Sequence, residues 1–159
     1  MKKSLSPKKS KPQGAYSMSA TRPDYILLDH TADLGVEIRG TSLINLFENA
    51  GRALLHLIFG TTHAVKSRYE KISVTGDDLA DLMVRYLSEI LYLFEGEKLV
   101  VDSISIKSLS DNRLKGSLRV SPFDPDTHKI LAEIKAVTYH QIEVTDRNGI
   151  WTARVIFDL

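Results

Sequence analysis

The hydrophobic positions of this chain follow two different periods, and each period predicts a different element. Leu34, Val36 and Ile38 alternate with polar or small residues, which is typical of a β-strand with one buried face. Over residues 43–58, in contrast, the large apolar residues recur every three or four positions. That spacing predicts an amphipathic helix whose apolar stripe lies on a sheet.

The same helical spacing returns over residues 79–94 and predicts a second amphipathic helix. Asp77 or Asp78 would cap this helix, as Thr41 or Ser42 would cap the first, because their side-chain oxygens accept hydrogen bonds from unpaired backbone N–H groups. A glycine follows the apolar pattern of each helix and would end it. We expect the following helical side chains to be buried: Leu46, Phe47, Leu54, Leu82, Leu87 and Ile90.

Most of the other apolar segments predict strands. They cover residues 25–28, 34–38, 71–75, 99–106, 113–120, 133–144 and 150–157. Turn residues separate the later strands, and Asn148-Gly149 is a strong hairpin signal. Two helices with about six or seven strands predict an α+β fold. We expect a single layered domain, in which a largely antiparallel sheet carries both helices on one face.

Charge divides the chain into two unequal parts. The 159 residues carry a formal net charge of +1, but residues 1–22 hold six of the 21 basic residues and no acid. The remainder therefore carries 15 basic against 20 acidic residues. We predict a disordered basic tail at residues 1–20 and a folded domain at residues 21–159. An acidic body is not typical of a domain that binds nucleic acid through its fold.

The composition also excludes several classes of function. The chain has no cysteine, which excludes a disulfide scaffold, cysteine-ligated zinc, an iron–sulfur site and thiol catalysis. It shows no glycine-rich phosphate loop and no nucleophile-elbow motif. No stretch approaches the roughly 20 apolar residues that a membrane span needs, and the tail has no secretory signal. We expect a cytoplasmic protein that does not contact membranes.

Strand parity suggests one place where acidic groups meet. Asp33 lies on the polar side of the strand that begins at Leu34, and Asp158 lies on the polar side of the last strand. If these strands are neighbours, both carboxylates lie on one side of the sheet. Leu159 follows at once, and we expect its terminal carboxylate beside Asp158. Three such carboxylates repel one another without a cation, and hard oxygens favour Ca²⁺, Mg²⁺ or Mn²⁺. Solvated acids at strand ends are the alternative interpretation.

Other polar residues have both a structural and a functional interpretation. His30 and Thr31 either cap a turn or support the Asp33 carboxylate through hydrogen bonds. His140 shares its predicted strand face with apolar residues, which favours a hydrogen-bonded histidine in the core.

A basic row on the predicted strand 113–120 also has two interpretations. Arg113, Lys115 and Arg119 fall on one face of it. They form either a solvated surface or a contact for RNA or an acidic partner.

Three blocks of the sequence resemble the archease family. The first is Asp29-His30-Thr31-Ala32-Asp33-Leu34-Gly35, and the second is Gly76-Asp77-Asp78-Leu79. The third combines Ile134-Lys135-Ala136-Val137-Thr138-Tyr139-His140 with the terminal Val155-Ile156-Phe157-Asp158-Leu159. The blocks occur in the order that the family has, and they span residues 24–159.

The resemblance implies a protein cofactor and not an enzyme. Archeases activate the RtcB-type RNA ligase, which joins 2′,3′-cyclic-phosphate or 3′-phosphate RNA ends to 5′-hydroxyl ends in tRNA splicing and RNA repair. They promote guanylylation of the ligase histidine, allow multiple turnover and broaden nucleotide use. The resemblance also implies a divalent metal, calcium first and magnesium or manganese otherwise, at Asp33, Asp158 and the main-chain oxygen of Leu159. The expected protein is a monomer that meets RNA only indirectly or weakly.

The match to the family pattern is incomplete, and two other functions stay open. Residues 119–122 read Arg-Val-Ser-Pro where many members carry Gly-Glu, so no functional acid is assigned there. One alternative is an RNA-binding chaperone of a tRNA-modifying enzyme, whose body would bind RNA in a salt-sensitive way. The other is a small metal-dependent phosphohydrolase that uses Asp33 and Asp158, for which His30 is the one candidate general base.

Overall fold

The computed structural model describes residues 24–29, 33–63 and 65–159. The basic tail, His30 and Thr31 lie outside these residues. In chain order the elements are β1 (Tyr25–Leu28), β2 (Leu34–Gly40), α1 (Leu43–Phe59), β3 (Arg68–Thr75), α2 (Leu79–Glu95), β4 (Leu99–Leu109), β5 (Arg113–Pro122), β6 (Ala136–Val137), β7 (Glu143–Arg147) and β8 (Ile150–Asp158). No helix within the described ranges is both long and apolar enough to cross a membrane.

The strands of the described residues form two antiparallel sheets. One has the order β1-β2-β8, with β6 and β7 both paired to β8, and the other has the order β3-β5-β4. Both helices contact strands of both sheets, so the main apolar core surrounds the helices. The α+β fold with antiparallel strands and two helices is confirmed. The eight strands of the described residues are divided between two sheets, however, and do not form one sheet with helices on one face.

Both helices begin and end where the sequence predicts. Ser42 caps α1 and Asp78 caps α2, and Gly60 and Gly96 follow their last residues. The predicted apolar stripes form the core. The six helical side chains expected to be buried are each at most 1% exposed: Leu46, Phe47, Leu54, Leu82, Leu87 and Ile90.

The prediction of a single strand over residues 133–144 is wrong. Val137 pairs with Phe157, and Glu143 pairs with Arg154. More residues therefore lie between Val137 and Glu143 than between their two partners on β8. The excess residues form a turn in which Gln141 has a φ of 53°. His140 lies in this turn and is exposed, so its predicted place in the core is also wrong. The turn breaks the alternation on which that prediction depended.

Candidate metal site at the ends of two neighbouring strands

The structure makes β2 and β8 neighbours, which is the condition that the parity argument required. The two strands pair antiparallel, with Leu34 opposite Phe157. Asp33 directly precedes Leu34 and Asp158 directly follows Phe157, so the acids stand at the same end of adjacent strands. Residues directly opposite in an antiparallel pair have Cβ atoms about 4.5–5.5 Å apart. Extended by one residue, the register would set Asp33 opposite Asp158, and at such a separation one cation can bridge two carboxylates.

Buried pairs between β2 and β8 fix this register. Val36 lies opposite Val155 and Ile38 lies opposite Ala153, and all four side chains are fully buried. A slip of one residue would turn these apolar side chains to solvent and bring polar ones into the core. Packing in the core therefore fixes the register of β2 and β8. This register in turn sets the position of Asp33 at the end of the sheet.

A third strand holds the end of β8 from its other edge. Ala136 of β6 pairs with Asp158, and the backbone N–H of Lys135 donates to the Asp158 carbonyl at 2.8 Å. The Thr138 hydroxyl donates to the Ile156 carbonyl at 2.8 Å. The backbone of Asp158 is therefore held by β6, although its side chain is exposed. Sequence reasoning missed this support, and the Lys-Ala-Val-Thr block shared with the family was the signal for it.

The donors available at this edge are oxygens. Asp33 is half-buried, Asp158 is exposed and Leu159 is 47% exposed, so the edge is open to solvent and to a partner. Within residues 24–29, 33–63 and 65–159, no three or more His, Cys, Asp or Glu side chains converge on a metal position. Two carboxylates with main-chain oxygen suit Ca²⁺, Mg²⁺ or Mn²⁺, but they fall short of the 6–8 oxygen ligands that Ca²⁺ takes. Water, a partner or residues outside the described ranges would have to complete the set.

A groove of about 310 Å³ opens on the same face of the five-stranded sheet. Glu37 and Arg154 line it, each four residues from one of the two acids along its strand. Arg39, at its far end, donates to Glu37 Oε1 at 3.2 Å. The Nε atom of Arg154 is buried and has no hydrogen-bond partner within the described part of the chain. The face thus changes from acidic at the Asp158 end to mixed charge in the groove, a surface suited to a polar partner.

The predicted basic row lies on the other sheet. Arg113 and Lys115 are exposed on β5, and Arg119 on the same strand donates to Asp102 Oδ2 through Nε at 2.7 Å. These residues do not contribute to the Asp33–Asp158 edge.

Comparison with known proteins assigns the family. The archease protein family model matches residues 25–159. The chain is 32% identical to the archease of Methanosarcina mazei over 139 residues, which cover 85% of this chain and 95% of that relative. It is also similar to the solution structure of protein 1598 of Methanobacterium thermoautotrophicum, with a TM-score of 0.67, 29% identity and coverage of 89% of this chain and 100% of the other.

A second solved structure shares the fold. It is the crystal structure of a Thermotoga maritima archease, described as a possible chaperone, with a TM-score of 0.58 and 23% identity over 83% of this chain and 94% of the other. The family match covers nearly all the residues that the structure describes, including both strands that end at the acids. This chain belongs to the archease protein family.

Proposed function

We propose that this protein is a metal-binding activator of an RtcB-type RNA ligase in tRNA splicing or RNA repair. The observation that carries the proposal is the β2–β8 register, which sets Asp33 and Asp158 at adjacent strand ends beside Leu159. Membership in the archease family supports it, because these acids fall in the blocks that resemble the family. The description of the Thermotoga maritima relative as a possible chaperone favours a role exerted on a partner protein.

The chain's own residues have two tasks in this proposal. Asp33 and Asp158 supply carboxylate oxygens and Leu159 supplies main-chain oxygen to a divalent ion, Ca²⁺ first and Mg²⁺ or Mn²⁺ otherwise. β6 holds the main chain at Asp158 from the opposite edge, so this part of the site is positioned before a partner arrives. When bound, the ion supplies positive charge against the phosphates of the nucleotide in the ligase site.

The ligase, and not this chain, carries the reacting groups. The activator presents an exposed acidic edge that can enter another protein's active site, since Asp158 and Leu159 both face solvent. In this role it promotes guanylylation of the ligase histidine, permits multiple turnover and broadens nucleotide use. It acts in the cytoplasm, in the same compartment as the ligase, and does not ligate RNA alone.

The test combines metal titration with multiple-turnover ligation by a small amount of ligase. Asp33→Asn and Asp158→Asn keep the side-chain size and remove one charge each. We expect each to weaken Ca²⁺ binding by at least about tenfold in calorimetric titration and to reduce ligase stimulation in parallel. Asp111→Asn is the matched control, because Asp111 is an exposed acid in the β4–β5 turn.

Three results would contradict different parts of the proposal. Wild-type metal affinity in both variants would remove the metal site. Lost metal affinity with full stimulation would separate the metal from activation. Ligation that proceeds equally with and without this protein would remove the ligase as its partner.

A further inference from the structure

The outer face of the three-stranded sheet carries a concentration of positive charge. Side chains of β5 alternate between buried apolar residues such as Leu114 and Leu118 and outward polar ones. The outward cations of the sheet, with one aromatic residue at its edge, form what we call the basic sheet face: Lys71, Lys107, Arg113, Lys115, Arg119 and Tyr69. The strand register interleaves them with hydroxyls, since Lys71 lies opposite Ser117 and Lys115 lies opposite Ser73.

Most of these cations have no ion-pair partner among the residues that the structure describes. Arg119 pairs with Asp102, whose side chain is only 6% exposed. The other four cations make no ion pair with any carboxylate in the described part of the chain, and all four are exposed. The net acidity of the body lies elsewhere and is screened over a Debye length of about 8 Å at physiological ionic strength. A ligand at this face therefore meets a locally positive surface.

Protection against aggregation does not account for the arrangement. Lysine on an edge strand prevents pairing with other chains, and Lys71 and Lys107 do lie on the edge strands β3 and β4. Arg113 and Lys115 lie on the central strand β5, however, whose backbone is already paired on both sides. These two cations lie two positions apart on the same face of β5, so their charges repel each other. A bound polyanion would relieve that repulsion.

The chemistry of the face favours nucleic acid over protein. Protein interfaces centre on buried apolar or aromatic anchors and are depleted in lysine. The basic sheet face offers lysine, arginine and hydroxyl groups, which are the side chains that contact phosphate oxygens and sugars. Tyr69 is 74% exposed at its edge, where its ring is available for stacking on an unpaired base. We propose that the basic sheet face binds single-stranded RNA through the phosphate backbone, with Tyr69 stacked on a base.

The first experiment measures the salt dependence of RNA binding by the full chain. The ligand is a fluorescein-labelled oligouridine of about ten nucleotides, followed by anisotropy between about 0.05 and 0.2 M salt. Each phosphate contact to a single strand contributes about −0.7 to the slope of log affinity against log salt. Lys71→Gln/Lys115→Gln should therefore reduce the steepness of that slope by about 1.4 and weaken binding about 25-fold at 0.1 M salt.

The matched control removes two exposed lysines from elsewhere. Lys129→Gln/Lys135→Gln has the same change in net charge and the same basic tail, but both positions lie in the segment that precedes β6 of the other sheet. We expect this variant to keep the slope of the unmodified protein. Equal slopes for the two double variants would overturn the proposal, because the binding would then depend on net charge or on the tail. Equal melting temperatures establish that both variants are folded.

Two further measurements test the nature of the ligand. Tyr69→Ser should weaken RNA binding at least about fivefold without changing the salt slope, because stacking releases no counterions. An unchanged affinity would remove Tyr69 from the site. Polyglutamate of similar length should compete poorly with RNA. If it competes as well as RNA, the face binds an acidic protein and the RNA assignment is wrong.

Discussion

In the part of the chain that the structure describes, two junctions lead from a strand into a helix, at residues 40–45 and 76–81, and they share one backbone arrangement. Each begins with a glycine that lies two residues before the helix cap. At the first junction the Ser42 hydroxyl accepts the Asn45 N–H at 3.0 Å, and Asn45 Oδ1 accepts the Thr41 N–H at 2.9 Å. Two backbone donors at the start of α1 are thereby satisfied by neutral side chains.

The second junction makes the same two hydrogen bonds with carboxylates. Asp78 Oδ1 accepts the Asp81 N–H at 2.8 Å, and Asp81 Oδ2 accepts the Asp77 N–H at 2.9 Å. Negative charge at this position is stabilised by the positive end of the helix dipole. Both junctions therefore satisfy the corresponding backbone N–H groups at the start of a helix. The second junction does so with additional negative charge, which helix initiation does not require.

That additional charge connects α2 to another element. The Tyr139 hydroxyl donates to Asp81 Oδ1 at 2.7 Å, and Arg85 Nε lies 2.9 Å from Asp81 Oδ2. The hydrogen bond from Tyr139 is the largest cause of a lowered pKa at Asp81. Tyr139 belongs to the turn that joins β6 to β7. Among the described residues, the side-chain hydrogen bonds of Ser42 and Asn45 stay within the first junction and α1. The acidic junction also ties its helix to the segment that supports Asp158.

Removing the shared glycine should have the largest effect at both junctions. A Cβ at Gly40 would lie 2.4 Å from the Leu46 backbone nitrogen, and one at Gly76 would lie 2.7 Å from that of Leu82. Because backbone atoms cannot move aside as a side chain can, we expect Gly40→Ala and Gly76→Ala each to lower the free energy of unfolding by about 3 kcal/mol. Urea denaturation measures this.

Gly149 is the control that separates crowding from backbone strain. It has a φ of +82°, and no atom of the described residues lies within 4 Å of an added Cβ. Gly149→Ala should cost only the left-handed strain of about 1–2 kcal/mol. Losses at Gly40 and Gly76 that are no larger than this would show that the close approach to the helix is unimportant.

Removing the caps should have the next largest effect and should distinguish the junctions. Ser42→Ala and Asp78→Ala each leave a backbone N–H without its partner, which costs about 1 kcal/mol. The loss should be larger at Asp78, because its hydrogen bond is charge-assisted and its charge faces the helix dipole. Urea denaturation at low and high salt checks this, since only the Asp78 effect should shrink as salt rises. A salt-independent difference would contradict the electrostatic explanation.

The link through Tyr139 should produce a pH-dependent effect that the first junction lacks. Asp81 has a pKa lowered from its ordinary value of 3.8, so its contribution to stability is present above that value and is lost as pH falls through the folded pKa. Tyr139→Phe should therefore reduce stability at pH 7, and the reduction should shrink as the pH falls below 3.8 and through the lowered pKa of Asp81. Tyr92→Phe, an exposed tyrosine on α2, is the control. A loss that does not depend on pH would mean that Tyr139 acts through packing.

Converting the first junction to the charge of the second should give the smallest effect. Asn45→Asp keeps the acceptor for the Thr41 N–H and places a carboxylate in the first turn of α1. We expect a gain of about 0.5 kcal/mol from the helix dipole, measured by thermal unfolding at low salt. A loss of stability would show that the Asn45 amide is needed for contacts that an aspartate cannot make.

The helices were predictable because their signals are local. The caps Ser42 and Asp78 and the glycines that follow each helix lie within a few residues of the boundaries that they set. The division into two sheets was not predictable in the same way. Alternation tells which side of a strand is buried, but it does not tell which strand lies beside it. The turn around Gln141 was missed because a non-glycine residue with positive φ leaves no clear sequence signal.

The candidate site was partly predictable for the same reason. Parity placed Asp33 and Asp158 on the polar sides of their strands, and the structure supplies the adjacency that parity had to assume. The support from β6 could not be found by parity, because β6 has only two residues and its role depends on pairing with a distant strand. Metal binding by Asp33, Asp158 and Leu159 stays a prediction, as do the roles of His30 and Thr31.

The pairing of β2 with β8 also has a consequence for the order of folding. The β4–β5 and β7–β8 hairpins join residues close in sequence, whereas Leu34 pairs with Phe157, 123 positions further along the chain. Closing so long a loop costs entropy that later contacts must recover, so we expect this pairing to form late. The edge with Asp33 and Asp158 would then assemble only in the last stage of folding, after both hairpins. A chain that is partly unfolded would lose this edge first, while much of its secondary structure persists.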